Sequence, residues 1–158
     1  MKALIAVYAK TEFPKNIALA IQQTFQAHGW TADIQEIVPV QKLKDYEYNK
    51  LEIVKLKEFN EDISGYDLVV LGSGLWSFEP SKVLLTYIKR LQNCKDKSFA
   101  VYVTCILPGN SLKKISNVLT TQSAKVLEST SFRSFFDNDA AKLKEAKIFA
   151  EKLVNYFK

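Results

Sequence analysis

Three short segments of the 158-residue chain hold side chains able to share one site. The first reads Ala9-Lys10-Thr11-Glu12-Phe13-Pro14-Lys15-Asn16, and an amphipathic stretch follows it. A hydroxyl, lysines and a helix N-terminus together favour an anion. The second is Gly72-Ser73-Gly74-Leu75-Trp76-Ser77-Phe78-Glu79-Pro80. Its glycines let the backbone turn sharply or approach a ligand closely. Trp76 and Phe78 offer flat stacking surfaces, and the alternative for either ring is to tuck under the next helix as core. The third, Thr104-Cys105-Ile106-Leu107-Pro108-Gly109-Asn110, joins an apolar rim to a Pro-Gly turn, which suits the backbone cradle of a flat heterocycle.

Those segments work together only if strands deliver them to one place. Ala3–Tyr8, Leu68–Ser73 and Ser98–Thr104 are continuous apolar runs, expected as strands buried on both faces. Thr31–Val38 and Val126–Phe136 are more polar and read as further strands. Between them the apolar period changes to that of helices. Ile17, Ile21 and Phe25 mark one over Lys15–His28, with Gly29 placed where a left-handed cap ends it. Ser81–Gln92, Ser111–Thr120 and Asp139–Phe157 carry similar stripes. Alternating strands and helices predict an α/β fold: a doubly wound, five-stranded parallel sheet in the order 2-1-3-4-5, with helices on both faces. In such a sheet the ligand crevice opens beyond the carboxyl ends of the strands, at the switch between the first and third. All three segments follow apolar strands that end there. The connection from Pro39 to Tyr66 holds Tyr46, Tyr48, Leu51, Ile53, Val54, Leu56 and Phe59, and the expected crossover helix lies within it.

Composition bounds the rest. The length suits a single domain over residues 1–158, able to bury roughly 70% of its unfolded surface. Hydrophobic residues at 47% and charged residues at 25% exclude disordered, collagenous and disulfide-scaffold classes. Cys94 and Cys105 are too few for a disulfide framework and read as free thiols, so the expected address is the cytoplasm. No apolar run reaches the ~18 residues of a membrane span. The net charge of +5 is interleaved: Lys42, Lys44, Lys50, Lys55 and Lys57 alternate with Asp45, Glu47, Glu52 and Glu58. That pattern is a solvated mixed face rather than a nucleic-acid footprint.

Tyr66-Asp67-Leu68-Val69-Val70-Leu71-Gly72-Ser73-Gly74-Leu75-Trp76, followed by Pro80 and an amphipathic helix, resembles the third strand and flavin loop of the flavodoxin family. Lys97 to Cys105 is similar to its fourth strand and loop, and the resemblance runs over nearly the whole chain. It implies FMN and one- or two-electron transfer to a redox partner protein or a small-molecule acceptor. The residues it points to are Lys10, Thr11, Glu12, Phe13, Lys15 and Asn16 for the phosphate end. Ser73, Gly74, Leu75, Trp76, Ser77 and Phe78, with Thr104, Cys105, Ile106, Gly109 and Asn110, would surround the ring. The first segment departs from the family's hydroxyl-x-Thr-Gly-Asn-Thr pattern. Only Thr11 matches; Ala9 lacks a hydroxyl, Glu12 replaces glycine, and Pro14 lacks both hydroxyl and backbone donor. A carboxylate ~4 Å from a phosphate charge opposes it by about 4 kcal/mol at an effective dielectric near 20. The second reading is therefore a flavodoxin-fold module that has lost FMN and acts through protein contacts.

Other chemistry is set aside. Gly72-x-Gly74 lacks the third glycine of a dinucleotide fingerprint, because Ser77 stands there. Gly72-Ser73-Gly74 is not a nucleophile elbow. His28, the one histidine, falls at a helix end where a cation suits the dipole. Cys105 has no partner in C-x-x-C spacing and reads as a small apolar filler. No catalytic acid, base or metal ligand is assigned, so whether the chain is itself an enzyme stays open.

Overall fold

The computed structural model describes residues 1–75 and 78–158. Five parallel strands form one sheet: β1 (Lys2–Tyr8), β2 (Thr31–Glu36), β3 (Leu68–Gly74), β4 (Ser98–Cys105) and β5 (Lys125–Arg133), ordered β2-β1-β3-β4-β5. The expected order is the observed one. Helices α1 (Glu12–Ala27), α3 (Lys82–Arg90), α4 (Ser111–Thr121) and α5 (Ala140–Asn155) flank it, and a single turn, α2 (Asp45–Tyr48), lies between β2 and β3.

The unbroken apolar strands are explained by the two layers. Side chains alternate across a strand. Ala3, Ile5 and Val7 of β1 therefore join the core beneath α1 and α5, with Leu68, Val70, Ala100 and Tyr102. Their neighbours Leu4, Ala6 and Tyr8 join the opposite core beneath α3 and α4, with Val69, Leu71, Phe99 and Val101. Both edges are polar. Asp33 on β2 pairs with Lys2 at 3.3 Å, and Glu36 pairs with Lys15 at 3.0 Å. On β5, Glu128 pairs with Lys152 at 2.5 Å.

Most boundaries shift by one or two residues, and three differences from expectation are larger. Helix α1 begins at Glu12 rather than Lys15, because Pro14 falls in the first turn, where no backbone donor is needed. Strand β5 ends at Arg133, not Phe136. The largest difference is the connection between Pro39 and Tyr66. In place of a crossover helix it holds the one turn of α2 and a hairpin-like return, with Pro39 bridged to Leu56 in antiparallel sense. Val54 and Leu56 are buried while Ile53, Lys55 and Lys57 are exposed. That period of two is the pattern of extended chain. Tyr48, Val54, Leu56 and Ile63 cover the α3 side of the core in place of a longer helix. No helix among the described residues is long and apolar enough to cross a membrane.

Candidate functional site

A cavity of about 370 Å³ opens at the carboxyl ends of β1, β3, β4 and β5. This is within the size range of small-molecule pockets. Lys10, Thr11 and Pro14 border it from the first segment. Gly74, Leu75 and Phe78 come from the second, and Thr104, Cys105, Ile106 and Leu107 from the third. Ser134, Phe135, Phe136 and Asp137 form a fourth wall from the turn between β5 and α5.

Backbone bonds hold these segments against one another. The Leu75 amide donates to the Thr104 carbonyl at 2.9 Å, and the Ser134 amide donates to the Cys105 carbonyl at 3.3 Å. Gly109 has φ +52°, and a Cβ there would meet the Phe78 carbonyl oxygen at 2.8 Å, so the turn that ends the third segment lies against the second. Phe78 itself has φ 57° and is 57% exposed. A left-handed, solvent-facing phenylalanine costs stability twice: through its backbone, and through apolar surface left uncovered.

Gly72 and Tyr102 pack against each other in the core under α1. A Cβ at Gly72 would lie 2.1 Å from the Tyr102 ring, so the ring occupies the space that any side chain at residue 72 would need. The Tyr102 hydroxyl is fully buried and donates to the Pro14 carbonyl at 2.8 Å. Burial alone pushes its ionisation far above the ordinary phenol range. It is a permanent donor fastening the start of α1 to β4.

Several residues singled out in the first segment have structural partners. The Lys10 ammonium donates to the Leu43 carbonyl at 2.7 Å and lies 5.2 Å from the centre of the Tyr48 ring. Lys15 pairs with Glu36. The Asn16 amide donates to the Asp137 carbonyl at 3.0 Å and to Asn138 Oδ1 at 2.8 Å, reaching the fourth wall from α1. Phe13 is buried in the α1–α5 core, and Glu12 is exposed; neither borders the cavity. Thr11 stands at the N-cap of α1 with no side-chain capping bond.

In the second and third segments, Ser73 is fully buried, its hydroxyl donating to the Gly74 carbonyl at 3.0 Å. Thr104 is buried at the cavity wall, 3.7 Å from where a Cβ on Gly74 would be. Asn110 is exposed at the N-cap of α4. Trp76 and Ser77 lie outside the described residues. Burial raises the Cys105 thiol, and Arg133 draws it down by less, so it is a protonated, apolar lining group at neutral pH. Among the described residues no cluster of His, Cys, Asp and Glu is placed to hold a metal ion.

The fourth wall was not anticipated from the sequence, where Phe132 to Phe136 reads as the end of a strand. Ser134 breaks it. Its hydroxyl donates to Asp139 at 2.8 Å and accepts from the Phe136 amide at 3.0 Å, turning the chain away from the sheet. Asp139 also caps α5, accepting from the amides of Ala141 and Lys142. A serine and an aspartate five residues apart before a helix were the available signal.

No family model and no curated protein matches the sequence. Solved structures do resemble the fold. Oxidised flavodoxin 2 from Bacillus cereus is similar with a TM-score of 0.70 at 17% identity, over 99% of this chain and 99% of that one. The two-electron reduced flavodoxin of Megasphaera elsdenii is similar with a TM-score of 0.66 at 13% identity, over 94% and 98%. A flavoprotein in complex with FMN from Lactobacillus acidophilus NCFM is similar with a TM-score of 0.65 at 16% identity, over 91% and 97%.

Proposed function

Because this chain has the flavodoxin-like fold, we propose that it binds FMN in the cavity at the switch point and carries electrons in the cytoplasm to a partner protein or a small-molecule acceptor. The observation that carries the reading is the slot itself, with apolar walls and, at one margin, a hydroxyl and a helix N-terminus. The residues present fit the group. Leu75, Phe78, Thr104 and Ile106 suit the faces of a planar ring, and Gly74 leaves room for close backbone approach. Thr11 and the first amides of α1 suit the phosphate, while the Lys10 ammonium beside them is held by the Leu43 carbonyl.

Two features answer the objections raised by the first segment. Glu12 is exposed and outside the cavity lining, so its carboxylate need not confront the phosphate. Pro14 removes a donor, and in exchange its carbonyl receives the Tyr102 bond that fixes the segment. When bound, FMN accepts and releases one or two electrons; the chain's own share is to bind, orient and shield it.

The absorption spectrum of the freshly isolated protein and an FMN titration test this. Bound flavin, or saturable quenching of added FMN at sub-micromolar affinity, is expected. A colourless protein with no saturable binding overturns the reading.

A further inference from the structure

Phe135 and Phe136 are 79% and 73% exposed, yet their turn is fastened to three other elements. The preceding residue bonds to β4 through the Cys105 carbonyl, and Ser134 bonds to Asp139 at the start of α5. Asn16 of α1 holds the Asp137 carbonyl. A surface turn that carried no binding duty would gain little from such anchoring, since ordering chain opposes folding. Anchored backbone beneath uncovered aromatic rings is the arrangement of a preorganised binding face, with the ordering already accomplished before the ligand arrives. Phe135 and Phe136 both border the cavity, as does Phe78. The third segment contributes no aromatic side chain to the lining, only Thr104, Cys105, Ile106 and Leu107.

We propose that Phe135 and Phe136 form an aromatic wall that stacks on the flat ring of the ligand from the β5–α5 side. The inference rests on the FMN reading and adds binding residues to the same slot. The affinity would come from ring-to-ring contact, so aromatic character rather than apolar bulk is what the wall supplies.

Fluorescence titration of FMN into the intact protein and three double variants tests it. Phe135→Ala with Phe136→Ala is expected to weaken FMN binding roughly 10- to 100-fold, the range typical of losing an aromatic stacking partner. Leu at both positions should remain weak, and Tyr at both should recover to within about threefold. Because both rings are solvent-facing, thermal unfolding should be nearly unchanged in all three, and Phe135→Ala or Phe136→Ala alone serves if the pair does not fold. The wall is overturned if the alanine pair loses less than threefold, if leucine restores binding, or if tyrosine does not. Failure of the unaltered protein to bind FMN overturns the functional reading instead, so the two failures are distinct.

Discussion

The Tyr102 phenol donates to the Pro14 carbonyl at 2.8 Å, joining β4 to the first turn of α1 across 88 residues of sequence. The same ring fills the space above Gly72. Tyr102→Phe leaves the carbonyl without its buried partner and should lower stability by about 1–3 kcal/mol. Gly72→Ala forces the ring aside and should cost at least about 3 kcal/mol, because overpacking adds to the broken bond. In the Gly72→Ala background, Tyr102→Phe should add less than about 0.5 kcal/mol, since one contact is lost only once. Denaturant unfolding of the cycle checks this; additive losses would show that the two residues act separately.

Glu12 stands beside the proposed phosphate end without lining the cavity. Replacing it with Gln removes one negative charge near the α1 N-terminus without shortening the side chain. Screening at an exposed position keeps the gain small, about threefold to tenfold in FMN affinity at low salt. The gain should vanish for riboflavin, which has no phosphate. Equal gains for both ligands would place the effect at the ring end.

At Phe78 backbone strain and exposure coincide. Phe78→Gly relieves a left-handed conformation worth of order 1 kcal/mol and adds a similar entropy to the unfolded chain, so stability should change by less than about 1 kcal/mol. FMN affinity should fall roughly tenfold through loss of an aromatic contact. Calorimetry beside a binding titration separates the two effects. A loss above about 2 kcal/mol in stability would show that the ring supports the core instead.

The fourth wall should soften in acid. The Asp139 carboxyl is held below its ordinary range, first by the Ser134 hydroxyl and then by the Lys142 amide. A group whose folded pKa is depressed stabilises the fold above its unfolded value of ~3.9, and that contribution disappears as pH falls through the folded value. Amide exchange at residues 134–137, divided by the intrinsic rate at each pH, should therefore be constant above about pH 5 and accelerate below about pH 4. In Asp139→Asn the acceleration should be absent, and a persisting one would assign it to another carboxylate.

Much of the fold was legible because β1, β3 and β4 are buried on both faces, so their apolar runs are unbroken and unmistakable. The cavity segments followed from the ends of those strands. The connection between β2 and β3 was not legible, since its apolar residues keep no single period along its length, and Val54 and Leu56 pack with a period of two over only a few residues. Phe13 was misleading in another way: two residues past the N-cap, it reads as part of a binding loop, yet it is core. Phe135 and Phe136 were hidden by their own β propensity, which Ser134 overrides through a side-chain bond visible only in three dimensions.

The charged margins of the sheet bear on how the molecule meets others. An open strand is a template for a neighbour's backbone, and inward-turned or paired charges blunt it. Asp33 and Glu36 guard one side and Glu128 the other. Lateral adhesion through either edge is thereby discouraged, which leaves the mouth of the slot, rather than the rim of the sheet, as the face open to encounters.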